Sequence, residues 1–246
     1  MLQEIINLGT IKMLKLFDVN YNLLPDNRSE ELFTLRKKTF KDRLDWIVNC
    51  ENNMEFDEYD NSHTNYLFGV YENKVICSIR FIETKHPNMI TGTFKSWFNN
   101  IELPQGNYVD ASRLFIDKER ARSLGISQRP ISSMLFLSMI NYSRQAGHEG
   151  IFAIVSHPMF IIFKRSGWLI SVVEQGLSEK NEKIYLIFMP VDNHNQRILI
   201  ERIQKDNPLS DNELTSWPLS FGVRQHRSDK LQLDAQPYGM LGVSNT

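Results

Sequence analysis

The chain predicts a three-layer α/β sandwich on a mixed, mainly antiparallel central sheet. Three observations lead there. The elements run strand, helix, several strands on short turns, then helix, strand, helix and further strands. A strongly apolar helical stretch between Pro130 and Gly147 leads into a continuous apolar run, Ile151 to Ser156, as a buried strand reached by a helical crossover would. Finally, 41% hydrophobic and 11% aromatic residues over 246 positions supply one substantial core and argue against disorder.

Residues 1–12 read as a leader expected to be disordered, 13–223 as the folded domain, and 224–246 as a polar tail expected to lack a fixed fold. Leu14 to Val19 alternates apolar and polar residues as a first strand does. Asn27 followed by Glu30 has the pattern of a capping box and opens a helix to about Arg43. Leu32, Leu35 and Thr39 face the core, while Arg36 and Phe40, four apart, share a neighbouring face. Asn49 to Asn65 is polar and reads as a long loop, a kind more often functional than not.

Tyr66 to Glu72 and Val75 to Ile82 read as a hairpin turning at Asn73-Lys74. Alternation points Val75, Cys77, Ile79 and Phe81 one way and Ile76, Ser78, Arg80 and Ile82 the other. Arg80 therefore sits among apolar neighbours and needs a carboxylate partner or an anionic ligand. Tyr108 to Asp117 is a further strand carrying Asp110, Ser112 and Arg113. Pro158 to Ser166 is a short helix stopped by Gly167, Trp168 to Val173 and Lys183 to Met189 are strands, and Asn193 to Gln204 is a helix.

A formal net charge of -1 implies no general affinity for nucleic acid or membrane. Two cysteines, Cys50 and Cys77, indicate no disulfide framework, and six scattered histidines show no metal-ligand spacing, so no metal is expected. With no run of about 18 apolar residues and no signal peptide, the sequence reads as a cytoplasmic protein.

The stretch from Leu35 to Asp60, LRKKTFKDRLDWIVNCENNMEFDEYD, gathers Arg36, Phe40, Trp46, Asp57 and Asp60. Its Arg, Phe, Trp and Asp-x-x-Asp pattern resembles the N-terminal block of the LuxI-type acyl-homoserine-lactone synthases. So, in order, do ICSIRF around Arg80, PNMITGTF from Pro87, SRLFID from Ser112, ISSMLFLSMINY, IVS ending at Ser156 and KRSGW ending at Trp168. The resemblance runs from about Met13 to about Met189. It implies the N-acetyltransferase (GNAT-like) version of the sandwich, in which two parallel strands splay apart around a pantetheine arm. Here those are Tyr108 to Asp117 and Ile151 to Ser156.

The resemblance further implies transfer of a fatty acyl group from acyl carrier protein to the amine of S-adenosylmethionine. The carboxylate then displaces methylthioadenosine, and an N-acyl-homoserine lactone, a quorum-sensing signal, leaves. S-adenosylmethionine is a substrate, so no cofactor is expected. The residue types suit this chemistry. Phe40 and Trp46 offer faces to a sulfonium or adenine. Asp57 and Asp60 accept from an amine or ribose. One of Arg36, Arg80 and Arg113 can hold the carboxylate while the others pair with the aspartates. Asp110 is the candidate base, directly or through a water, where family members usually have Glu.

Leu114, Phe136, Met139, Ala153, Val155, Met159 and Met189 match acyl-pocket positions of the family. Members making 3-oxo products often carry Thr at the position of Ala153, so unsubstituted, medium-length chains are expected. Arg120, Arg122, Lys164 and Arg165 are candidate docking charges for an acidic carrier. His157 stands where many relatives carry Arg. The competing reading is a GNAT-type N-acyltransferase using acyl-CoA and another amine. Against it, the segment ERARSLGIS lacks the spaced glycines that cradle a pyrophosphate.

Overall fold

The computed structural model describes residues 13–206 and 209–221. The expected leader, the polar tail and the end of the expected domain at 222–223 lie outside them. The first strand, β1 (Lys15–Asn20), precedes helix α1 (Asp26–Lys37), which runs on into a π-helical turn, Lys38–Arg43. A small ribbon follows, β2 (Cys50–Glu51) with β3 (Met54–Glu55), then the hairpin β4 (Thr64–Tyr71) and β5 (Lys74–Glu83). Beyond β6 (Tyr108–Ile116) come α2 (Lys118–Ser123), α3 (Ile131–Gln145), β7 (Gly150–Ser156) and α4 (His157–Arg165). The chain closes with β8 (Ser171–Leu177), β9 (Lys183–Met189), α5 (Asn193–Asp206), α6 (Asp211–Thr215) and β10 (Leu219–Ser220).

Eight strands form one sheet in the order β10-β1-β4-β5-β6-β7-β9-β8. Among the described residues only β1–β10 and β6–β7 are parallel pairs, so the sheet is mixed and mainly antiparallel, as the sequence predicts. The apolar helix α3 covers one face, its Leu135, Phe136, Met139 and Ile140 packed with Leu16, Leu67, Ile79, Phe81, Ile151 and Ile187. Helix α1 covers part of the other, with Leu32, Leu35 and Phe40 against Tyr66, Phe68 and Phe115. Beside it, Ile90 and Phe98 pack on Phe152, Ile184 and Leu186.

Several local readings need correction. Helix α1 starts one residue before Asn27, behind Pro25, with no side-chain cap bond. Glu31 instead binds the N–H of Val75 across the gap to β5. The hairpin turns at Glu72-Asn73, both at positive φ (46° and 61°), one residue earlier than expected, because Tyr71 still pairs with Lys74. Alternation in β5 breaks at its start: Gly69 pairs with Cys77 and Val70 with Val75, so Ile76 is an unmatched extra residue. Val75 consequently packs on the α1 face, while Ile76 and Cys77 both join the α3 face. The strand expected from Trp168 begins at Ser171 instead. Trp168 is core: its ring packs near Phe136 and Phe163, and its indole N–H donates to the Pro190 carbonyl at 2.8 Å. The polar loop from Asn49 is partly built, since Asn52 and Asn53 at φ 50° and 64° turn the β2–β3 ribbon.

The feature that positions the site is the β6–β7 pair. Parallel pairing covers only Tyr108–Gly150, Val109–Ile151 and Asp110–Phe152. Past Asp110, β6 stays with β5 up to Ile116, and β7 stays with β9 up to Ser156. The strands part beyond Asp110, as expected. At the paired end, a Cβ on Gly150 would stand 2.2 Å from the Phe188 ring. Gly150→Ala is therefore expected to cost about 1–3 kcal/mol by overpacking the start of the splay, read by urea denaturation.

Candidate active site

On the α1 face, three arginines from three elements meet three carboxylates from one loop. Arg36, at the end of α1, is 1% exposed. Its Nε donates to Glu55 Oε2 at 2.6 Å, and its two terminal nitrogens donate to the two oxygens of Asp60 at 2.7 and 2.9 Å. Arg80, from β5, donates to Asp57, to Asp60 at 3.0 Å and to the Ser112 hydroxyl at 3.1 Å. The partner that its position demanded is thus two aspartates.

Arg113 reaches the same cluster through a β-bulge. Ser78 pairs with Phe115 and Arg80 with Ser112, so Arg113 and Leu114 together face the single residue Ile79. The extra residue turns both Ser112 and Arg113 to the α1 face and sends Leu114 to the α3 side. Arg113 holds φ 56°, a left-handed backbone that a long side chain rarely adopts. Its Nε donates to Glu55 Oε1 at 3.0 Å and Nη2 to Asp57 Oδ2 at 2.7 Å, with the guanidinium 5.6 Å from the Phe40 ring centroid.

Asp60 is the hub. Its oxygens accept from Arg36 twice, from Arg80, from the Tyr66 hydroxyl at 2.6 Å and from the Asp57 N–H at 2.9 Å. Burial opposes its charge, but the Arg36 and Arg80 guanidiniums outweigh it and hold the carboxyl well below the usual range. Such a group stabilises the fold above its ordinary pKa, and that contribution fades as pH falls towards the depressed value. Glu55, with no exposed surface, bridges Arg36 and Arg113. The sequence reading missed it, because nothing in a loop that also holds Glu51 and Glu58 marks it out. Tyr66 and Met89 were missed too, having the look of ordinary core residues.

Phe40 is buried and stacks on Trp46 at 5.2 Å, and Trp46 is partly exposed. These two rings and the ionic cluster form one continuous wall. Asp110, also on the α1 face, is the last residue of β6 paired to β7. It is 1% exposed and accepts the Met89 N–H at 3.0 Å. Burial pushes its pKa up to about 6, against the pull of Arg80, that hydrogen bond and Arg113.

The expected acyl-pocket residues lie on the other face. Phe136, Met139, Ala153, Val155 and Met189 belong to the α3-side core, with Leu114 and Met159 packed against it. The two sets of residues lie on opposite faces of the sheet, and β6–β7 pairing ends between them, at Asp110. Of the expected docking charges, Arg122, Lys164 and Arg165 are exposed. Arg120 is drawn inward, bonded to Glu31 and to the Val75 carbonyl at 2.8 Å.

A mixed sheet with one parted parallel pair places the chain among GNAT-like α/β proteins. Solved structures agree. The AHL synthase LasI superposes at TM-score 0.69 with 21% identity, covering 77% of this chain and 96% of its own. The CoA-dependent acyl-homoserine lactone synthase BjaI, solved with SAM and isopentyl-CoA, superposes at 0.67 with 17% identity, covering 78% and 90%. The autoinducer synthase family model matches residues 20–199. An acyl-homoserine-lactone synthase of Serratia liquefaciens is 70% identical over 194 residues, 78% of this chain and 97% of that protein. One from Pectobacterium carotovorum subsp. carotovorum is 61% identical, over 84% of this chain and 96% of its own. The chain belongs to the autoinducer synthase family, the LuxI-type acyl-homoserine-lactone synthases, and is an acyltransferase.

Because Asp60 neutralises two buried arginines, Asp60→Asn is expected to cost about 3–5 kcal/mol of stability. Chemical denaturation at pH 7 measures this, and Tyr66→Phe, which removes one hydroxyl donor, should cost only about 1 kcal/mol.

Proposed function

We propose that this synthase takes a medium-length, unsubstituted acyl chain from acyl carrier protein, passes it to the amine of S-adenosylmethionine, and then closes the lactone with release of methylthioadenosine. The observation that carries the reading is Asp110: a buried carboxyl with its pKa near 6, at the point where the strands part. There it takes a proton from the substrate ammonium, directly or through a water, as the amine attacks the thioester carbon. Backbone N–H groups along the parted strands polarise the thioester carbonyl, and the carrier thiol leaves. The methionine carboxylate then displaces methylthioadenosine at the carbon next to the sulfonium. Phe40 and Trp46 supply the aromatic faces for the sulfonium or adenine. Asp57 and Asp60 keep the arginine cluster in place for the carboxylate.

Support for a carrier-protein donor comes from the turn after β6. Gly125, at φ 69°, is the sole glycine of ERARSLGIS, so no row of closely spaced N–H groups waits for a pyrophosphate. Exposed Arg122, Lys164 and Arg165 suit an acidic partner in the cytoplasm. The reading of chain type rests on Ala153, whose methyl group in the α3-side core offers no donor to a 3-oxygen.

Incubation with S-adenosylmethionine and hexanoyl- or octanoyl-loaded carrier protein should yield methylthioadenosine and the matching lactone. Acyl-CoA should serve poorly, and 3-oxo-acyl donors should not dominate the products. Efficient transfer from acyl-CoA to some other amine would favour the ordinary N-acyltransferase instead.

Asp110→Asn should lower kcat/KM by about 10²–10⁴-fold. In the wild type, activity should rise with pH through about 6, as the carboxyl ionises. Stability should move the opposite way. A raised carboxyl pKa favours folding below the ordinary carboxylate value, and that benefit is lost as pH rises through about 6. The Asn variant should therefore melt higher than wild type at pH 7, by an amount worth up to about 3 kcal/mol, with the difference shrinking at pH 4.

A further inference from the structure

In the arginine cluster one guanidinium nitrogen lacks an oxygen acceptor among the described residues. Arg36, Arg80 and Arg113 offer three guanidinium nitrogens each, and all but one donate to oxygen among the described residues. The exception is Arg113 Nη1, which meets the Met89 thioether sulfur at 3.2 Å. A thioether is a weak acceptor. A buried charged donor facing it has given up water for little in return. Arg113 also differs from its neighbours electrostatically: burial holds its pKa below the usual arginine value, whereas Arg36 and Arg80 are raised.

Met89 is built to let go. Its backbone is fixed: the N–H is bound to Asp110 Oδ2 at 3.0 Å. The preceding Asn88, fully buried, ties the segment down through the Thr84 and His86 carbonyls and the Ile90 and Thr91 N–H groups. Its side chain is unbranched and packs with Tyr59, Ile82 and Phe94. Such a chain can change rotamer without disturbing its backbone.

Resting on the function proposed above, we propose that Met89 is a positioning residue that holds the place of the substrate carboxylate. In the substrate-free enzyme its sulfur occupies Arg113 Nη1, and the carboxylate of S-adenosylmethionine displaces it. This assigns the carboxylate to Arg113 and not to Arg36 or Arg80, each of whose nitrogens already has an oxygen acceptor among Asp57, Asp60, Glu55 and Ser112. It also makes binding an exchange of a weak acceptor for a charged one, so affinity depends on the ligand carrying a carboxylate.

The test uses the full chain, without acyl donor, and calorimetry with two ligands that differ in that one group: S-adenosylmethionine and its decarboxylated form. Met89→Gln places an amide oxygen, a competent acceptor, against Nη1. It should weaken S-adenosylmethionine about tenfold and leave the decarboxylated ligand within about twofold. Met89→Leu removes the acceptor but keeps the bulk, so the preference for the carboxylate-bearing ligand should hold or grow. If both ligands weaken together in Met89→Gln, or Met89→Leu loses the preference, Met89 is only packing and the assignment is wrong. Wild type that binds neither ligand would instead overturn the underlying choice of substrate.

Discussion

Six charged side chains buried against one sheet face are the constraint on which everything else depends. Removing isolated charges from water is too expensive to tolerate, so each guanidinium must find carboxylate oxygens with near-ideal geometry. Here the arginines come from α1, β5 and β6, and the carboxylates all come from residues 55–60. The consequence is structural before it is chemical. A polar loop with little apolar content is ordered because three separate elements pull on it through ion pairs. The same pairs then fix the Phe40–Trp46 wall and the face of β6 that carries Asp110.

The sheet supplies the second half of the design. Two irregularities in strand pairing do most of it. The bulge at Arg113 turns a side chain that regular alternation would send to the α3 face back to the α1 face. The early end of β6–β7 pairing parts two neighbouring strands in an otherwise continuous sheet. An apolar chain and a charged, water-loving substrate have opposite solvation needs, and a sheet keeps two such environments apart. In the proposed reaction the two meet at the parting of the strands. A carboxyl there is desolvated by the surrounding core, and its ionisation is for that reason moved towards neutral pH.

Periodicity and turn chemistry made most elements legible. The α3 helix, the β7 run and the β4–β5 hairpin were all readable from residue types within a short window. Errors arose where long-range pairing overrode local signals: the start of α1, where Glu31 serves β5 and no residue caps the helix, and the bulge at Ile76, which no alternation rule foresees. Arg80 was readable as a charge in need of a partner, because its neighbours in sequence are apolar. Glu55 was not, because its burial is created by Arg36 and Arg113, which are distant in sequence. Met89 was hidden for a related reason: a methionine beside an apolar residue reads as packing until the atom that faces its sulfur is known.

The charges of the cluster also bear on how the proposed substrate is received. Arg36, Arg80 and Arg113 against Glu55, Asp57 and Asp60 sum to zero, so the cluster by itself offers no net attraction to a cation. Asp110 changes that. Ionised, it leaves the site with one negative charge, which matches the single net positive charge of S-adenosylmethionine. The match works in both directions. A cation close to Asp110 favours its charged form, so in the proposed mechanism the substrate lowers the pKa of its own base on binding. A base of this kind stays neutral, and cheap to bury, in the empty enzyme at mildly acidic pH, and becomes charged when a cationic substrate arrives.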